Sequence, residues 1–239
     1  MSELLRCRGL TKTFESGARR VEVLRGLDLS VERGEMVAII GESGVGKSTL
    51  LHLLGALDVC DAGEYWFDGD DVASMSARSR AAFRNRRVGF VFQFHHLLPE
   101  LTLMENVCLP GMIGRRTRLA CEKIAAPILG SLELSPLADQ HPAELSGGEQ
   151  QRAAVARALM SAGDLLLADE PTGNLDPRTG DKVFDALRRA QSEAGVAAVV
   201  ATHSGKLARR CDRVMELHDG VLTPARIQAG ILEGAPAER

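Results

Sequence analysis

No apolar run in this 239-residue chain approaches the roughly 20 residues needed to cross a bilayer. The N-terminal stretch MSELLRCRGL is broken by charge and lacks the apolar core of a secretory signal. There is no basic excess either: 29 Lys and Arg stand against 32 Asp and Glu, for a net charge of -3. A general case for a nucleic-acid partner is therefore missing. The five cysteines (Cys7, Cys60, Cys108, Cys121 and Cys211) form no C-x-x-C pair. An odd, scattered set favours reduced thiols in a cytoplasm over a disulfide framework. No internal repeat is visible, so a solenoid is not indicated.

What is present suits one sizeable core with a smaller lobe, since 45% of the residues are hydrophobic. Met36–Ile40 (MVAII) reads as a short buried strand, followed by a glycine-rich turn and a leucine-bearing helix over Ser48–Leu57. Val88–Phe92, Leu165–Ala168 and Val196–Thr202 are further continuous apolar runs, the last preceded by a helical stretch at Pro177–Ala194. Buried strands alternating with helices predict an α/β fold with a largely parallel sheet. Leu4–Leu10, Glu22–Val31 and Glu64–Phe67 alternate more and predict an antiparallel side sheet near the N-terminus. Helices are predicted over Thr117–Leu132 and Gly147–Met160, within a helical lobe inserted at about residues 95–160 of a single domain, 1–222. The Ala-, Gly-, Pro- and Glu-rich segment 223–239 has little to pack and is expected to be a mobile tail.

The sharpest local signal is GESGVGKST, comprising Gly41, Glu42, Ser43, Gly44, Val45, Gly46, Lys47, Ser48 and Thr49. It matches G-x-x-x-x-G-K-[ST] between a buried strand and a helix, where a phosphate-binding loop belongs. The glycines let the backbone turn its N–H groups onto an anion, and the helix adds its positive end. Lys47 brings a charge to the β- and γ-phosphates, and Ser48 a hydroxyl to Mg²⁺. A nucleoside triphosphate is the implied ligand. LLLADE, Leu165–Glu170, supplies the complement: Asp169 ends a buried strand, where a carboxylate holds Mg²⁺ through water. Glu170 beside it is placed to orient or deprotonate a water attacking the γ-phosphate.

LSGGEQQR, Leu145–Arg152, contains an S-x-x-E capping box, Ser146 to Glu149, at the start of the predicted helix. Its two glycines, Gly147 and Gly148, cost helix stability in the first turn. They make sense where bare amides must approach an anion closely.

With these three motifs in order, the chain resembles the ATP-binding subunits of ABC transporters from about Leu4 to Leu222. That resemblance implies ATP and Mg²⁺ as ligands. It implies further that Phe14 in TKTF stacks on adenine, Gln93 reaches Mg²⁺ and the attacking water, and His203 contacts the γ-phosphate. Asn174, Leu175 and Asp176 resemble the loop that touches the other subunit's site. Ser146, Gly147, Gly148 and Glu149 of one chain would complete the ATP site of a second, making an ATPase homodimer with Glu170, Gln93 and His203 as its catalytic groups. Ser204 departs from the family pattern, where Asp commonly follows the histidine.

Rival classes lack their marks. No N-K-x-D guanine-reading motif is present, a small-molecule kinase has no use for LSGGEQQR, and the chain is too short for the coiled coils of DNA-repair relatives. Translation-associated relatives usually carry two cassettes in one chain.

Residues 91–101, VFQFHHLLPEL, are too apolar for an ordinary surface loop and too irregular for a strand or helix. Phe94, Leu97, Leu98 and Leu101 follow no period, and Pro99 stops a helix from running through. In the family this region receives the membrane subunits, so integral inner-membrane permeases are expected to dock near Phe94–Leu101. The alternative is that these side chains pack inward. Adjacent His95 and His96 suit a single metal poorly. QFHHLLPELTLMENV and LLHLLGALD resemble the lipoprotein-releasing ATPases within the family, and ADEPTGNLD its broader subgroup of macrolide exporters and the cell-division ATPase. The resemblance implies a peripheral protein at the cytoplasmic face of a bacterial inner membrane, with lipoprotein handled by its partners. A macrolide or peptide exporter, or a non-transporting cell-division type ATPase, is the alternative.

Overall fold

The computed structural model describes residues 2–16, 19–161, 163–228 and 231–234. The chain opens with two long strands, β1 (Glu3–Ser16) and β2 (Arg19–Glu32), then β3 (Met36–Ile40), α1 (Lys47–Leu54), β4 (Ala62–Phe67) and the two-residue β5 (Asp70–Asp71). There follow α2 (Ala77–Arg87), β6 (Val88–Val91), α3 (Leu103–Ile113), α4 (Arg118–Ser131), α5 (Gly147–Ser161), β7 (Leu165–Asp169) and α6 (Pro177–Ala194). The last elements are β8 (Ala197–Ala201), α7 (Gly205–Ala208), β9 (Arg213–His218), β10 (Val221–Gln228) and β11 (Ile231–Gly234).

These elements form two compact units, one of residues up to Ala81 together with those from Val199 onward, the other Ala82–Ala198. In the first unit, β2, β1, β4 and β5 make the antiparallel side sheet, in that order. Its inward residues Leu4, Leu10, Leu24, Leu27 and Phe67 are almost wholly buried. The second sheet of this unit centres on β3, whose five residues are all buried, as expected of a strand covered on both faces. β9 pairs with it in parallel. Beside it, the Thr202 N–H after β8 donates to the Ile39 carbonyl at 3.0 Å. β10 returns antiparallel on β9 through Asp219-Gly220, both at positive φ. Asp-Gly is the dipeptide that such a tight hairpin favours.

In the second unit, β6 and β7 pair in parallel. α5 packs against β6, α3, α4 and α6, burying Ala153, Ala154, Val155 and Ala156. α6 begins at an Asp176 cap with Pro177 in its first turn and ends at Gly195, φ 66°. Its buried residues Val183, Phe184, Leu187, Ala190 and Gln191 follow the helical period.

The segment 95–160, expected as a helical lobe, holds α3, α4 and α5, and α5 buries its apolar face against β6 and α6. Two differences from the sequence reading have physical causes. α2 carries no hydrophobic period in the sequence, since Phe83 is its single buried residue. What supports that helix includes Arg84, Arg86 and Arg87 in its last turn, on the negative end of the helix dipole. The segment 223–239, expected to be mobile, starts inside a strand instead: Thr223 pairs with Glu216 and Pro224 with Met215. β11 then pairs back on β10, and residues 235–239 lie outside the described residues.

Candidate active site

The first unit carries the phosphate loop. Gly41 has φ 148° and a Cβ there would lie 2.4 Å from the Leu217 carbonyl oxygen. At Gly46, φ 114°, it would lie 2.7 Å from the Val23 side chain. Neither position admits a side chain, so both glycines follow from the turn itself. Gly46 also caps α1 without any side-chain hydrogen bond, which leaves the first-turn amides for a ligand. Lys47 is 8% exposed, and its ammonium donates to the Gly41 carbonyl at 2.7 Å and the Glu42 carbonyl at 2.8 Å. Its charge is thus held inside the curve of the loop. Ser48 is exposed at the second position of α1, with Glu42, Ser43 and Gly44 exposed ahead of it and Val45 and Thr49 half-buried.

The same unit holds Phe14, on β1 and 43% exposed. The Lys12 ammonium sits 5.2 Å over its ring centroid and is tied to Asp58 at 2.9 Å, a geometry that fixes a cation against the ring. Burial opposes the Asp58 charge, but the Lys12 hydrogen bond, with that of the Val59 amide, outweighs it and holds the carboxyl below its usual range. His203 is exposed just beyond β8. Ser204, the departure from the family pattern, caps α7 by accepting from the Leu207 N–H at 3.4 Å. Serine and aspartate are comparable in that role, so the substitution preserves the turn that follows His203.

In the second unit, Asp169 ends β7, half-buried. Glu170 follows with φ 44°, a left-handed conformation that non-glycine residues occupy at a cost and that clusters at functional sites. The turn is closed by the Gly173 N–H on the Glu170 carbonyl at 2.9 Å. Gln93, beyond β6, makes a reciprocal amide pair with Asn174: each side-chain nitrogen donates at 3.1 Å, to the Asn174 Oδ1 and the Gln93 carbonyl respectively. The structure therefore brings Gln93 to the turn that carries Glu170. Asn174 was legible as a contact loop but not as the partner of Gln93.

The LSGGEQQR segment forms its predicted capping box. The Ser146 N–H and hydroxyl donate to Glu149 Oε2 at 2.8 and 2.6 Å, and the Glu149 N–H returns to Ser146 Oγ at 3.4 Å. The Ser146 hydroxyl, and then its amide, hold the Glu149 carboxyl below its usual range. The two glycines separate. A Cβ at Gly148 would lie 2.6 Å from Thr179 Cγ2, whereas one at Gly147 would meet Leu175 Cδ2 at an ordinary 3.6 Å. Packing of α5 on α6 accounts for Gly148, and packing does not account for Gly147. Asp176, placed by the sequence reading at the nucleotide, accepts from the Arg178 and Thr179 amides at 3.1 and 3.2 Å. Its carboxyl is held low chiefly by the Thr179 side chain and amide.

Among the described residues, no group of three His, Cys, Asp or Glu gathers as a metal site, and no helix is long and apolar enough to cross a membrane. His95 Nδ1 lies 2.7 Å from Gln151 Oε1. His96, at φ 48°, meets the Phe92 ring edge-on at 5.6 Å between centroids. Phe94 is 63% and Leu98 43% exposed, while Leu97 and Leu101 are half-buried. Inward packing thus accounts in part for Leu97 and Leu101, and Phe94 and Leu98 stay exposed.

Comparison with known proteins agrees with this arrangement. A family model described as "ABC transporter" matches residues 24–173. The lipoprotein-releasing system ATP-binding protein LolD of Ruegeria pomeroyi is 52% identical over 225 residues, 93% of this chain and 99% of its own. That of Geobacter metallireducens is 49% identical over 220 residues, 92% and 98% of the two chains. Among solved structures, a dimeric bacterial ABC transporter cassette superposes with a TM-score of 0.83 at 37% identity, over 92% of this chain and 96% of that one. A post-hydrolysis state of a cassette bound to ADP and Pi gives 0.83 at 36% identity. The chain belongs to the ABC transporter family, and its enzymatic class is ATP hydrolysis coupled to transport.

Proposed function

We propose that this chain is the ATPase subunit of a lipoprotein-releasing transporter, working as a homodimer at the cytoplasmic face of an inner membrane beside separate permease subunits. The observation that carries the reading is near-half identity to lipoprotein-releasing ATP-binding proteins over almost the full length of both chains. In this reading the Phe14 ring, steadied by Lys12, stacks on adenine. The amides of Gly41–Thr49 and the Lys47 ammonium take the phosphates. Ser48, Asp169 and Gln93 offer hard oxygen donors, which fits Mg²⁺, an ion commonly held by one or two carboxylates together with substrate phosphates. When bound, that ion would neutralise charge on the β- and γ-oxygens. Glu170 takes a proton from the attacking water, Gln93 orients that water from the Asn174 pair, and His203 donates to the γ-phosphate. Ser146 and Gly147 of a second copy close on the same phosphates.

Phe94 and Leu98 form the apolar face offered to the permeases. Replacing both with Ser is expected to leave ATP affinity unchanged and to abolish co-purification with the membrane subunits. Unaltered co-purification would remove the docking assignment. For the cargo, the chain and its membrane subunits in vesicles should release a lipoprotein upon ATP addition. Turnover without lipoprotein release, together with release of a macrolide or peptide, would transfer the protein to the exporter reading that ADEPTGNLD also permits.

A further inference from the structure

The segment from Phe92 to Thr102, which the proposed function gives to the membrane partner, is held along its length by buried or half-buried side chains from two helices. Gln151 of α5 is 1% exposed. Its Nε2 donates to the Phe92 carbonyl at 3.1 Å, so its Oε1 accepts from the Nδ1–H of His95 at 2.7 Å. Arg157, six residues further along the same helix, donates to the His95 carbonyl at 2.6 Å and to the His96 carbonyl. Among the described residues no carboxylate pairs with this guanidinium, and burial lowers its pKa. A cation so placed is costly to leave without its carbonyl partners. The left-handed φ of His96 also needs surroundings that fix it.

The second half of the segment belongs to α3. Asn106 is 0% exposed, and its Oδ1 accepts from the Leu98 N–H at 2.7 Å. Its Nδ2 donates to the carbonyls of Leu98, Leu101 and Thr102, each at 3.0 Å. The two exposed apolar residues are therefore carried by different helices: Phe94 lies within the span tied to α5, and Leu98 is tied to α3.

We infer that Gln151 and Arg157 are positioning residues that make the Phe92–His96 span move as one body with α5, while Asn106 keeps Leu98–Thr102 with α3. Resting on the proposed function, this makes α5 a direct mechanical link. Its first turn carries Ser146–Glu149, Gln151 follows Gly147 by about 6 Å of helix rise, and a displacement at that first turn reaches Phe94 without passing through the Gln93 active-site turn. Physical continuity of this kind is a coupling route when both ends bias the same element.

Arg157→Ala tests it, with circular dichroism to confirm folding. Arg157→Gln, which keeps an amide donor group on a shorter, uncharged side chain, replaces it if the alanine variant does not fold. In the isolated full-length chain, ATP hydrolysis is expected to stay within about twofold. Hydrogen exchange should rise about tenfold in residues 92–97 and remain unchanged in 98–102. Assembled with the membrane subunits, the variant should lose about tenfold of the stimulation those subunits give to wild type, and Arg157→Lys should recover most of it. Equal exchange in both halves, parallel loss of isolated-chain hydrolysis, or full stimulation of Arg157→Ala would overturn the inference. If the wild-type chain gains no stimulation from membrane subunits, the docking reading fails instead, and the exchange experiment alone decides the link.

Discussion

Two segments of this molecule look alike as strings and differ as structures: GESGVGKST and LSGGEQQR each place glycines ahead of a helix. In the first, the cap is Gly46 with no side-chain bond, and Lys47 holds its charge within the loop by bonding to the Gly41 and Glu42 carbonyls. In the second, Ser146 and Glu149 satisfy one another and bring a negative charge to the helix start. The Gly41–Thr49 loop thus presents a cation and a helix start without a side-chain cap in one stretch. The other is a capped helix whose amide at Gly147 can be approached and whose cap holds the Glu149 carboxylate. A segment of the second kind makes chemical sense when the phosphate is already held elsewhere, as across a dimer of such chains. The difference teaches that glycine content alone does not identify the element that binds.

The largest effect that can break this comparison is at Lys47. Lys47→Ala is expected to lower steady-state ATP turnover by at least about 100-fold, because the loop loses the charge that faces the phosphates. Normal turnover would show that the receptor lies elsewhere. Glu170→Gln should reduce turnover by about 100-fold while retaining ATP affinity. An ATP-dependent dimer should then accumulate on size exclusion, joining the two segments from different copies. A variant that stays monomeric with ATP and hydrolyses normally would contradict the base assignment.

The glycines sharpen the contrast further. Gly147→Ala fits the fold, so its melting temperature should be unchanged or slightly higher, while turnover falls about tenfold through blocked approach to phosphate. Gly148→Ala collides with Thr179 and should lower the melting temperature by several degrees. If the two variants behaved alike in thermal melts, the separation of a ligand glycine from a packing glycine would be lost. The smallest effect is at Ser204. Ser204→Ala should cost about 0.5–2 kcal/mol as a lost cap, and Ser204→Asp almost nothing, as read from denaturant midpoints.

The motifs were legible because they are local. The Gly41–Thr49 loop, the Asp169–Glu170 pair and the capping box each lie within nine consecutive residues or fewer, and the roles proposed for them rest on side-chain type next to a strand or helix end. The buried strands β3 and β8 were legible too, since continuous apolar runs have few other places to go. α2 was not, because one buried Phe83 leaves no period to detect. The hairpin of β9 and β10 was missed although His218-Asp219-Gly220-Val221 carries its turn signal. The Thr102–Glu105 capping box that opens α3 was also readable in TLME.

By itself, then, the sequence determined the family, the glycine-rich turn between β3 and α1, the buried strand β7 and the side sheet, all written in short-range pattern. The tertiary structure decided what depends on distant partners. It joined Gln93 to Asn174 across 81 positions, assigned Gly148 to packing, gave Asp176 a helix to cap, and turned VFQFHHLLPEL from an irregular apolar loop into two spans tied to separate helices. Such assignments come from hydrogen bonds and close contacts between residues far apart in the chain, which no local pattern encodes.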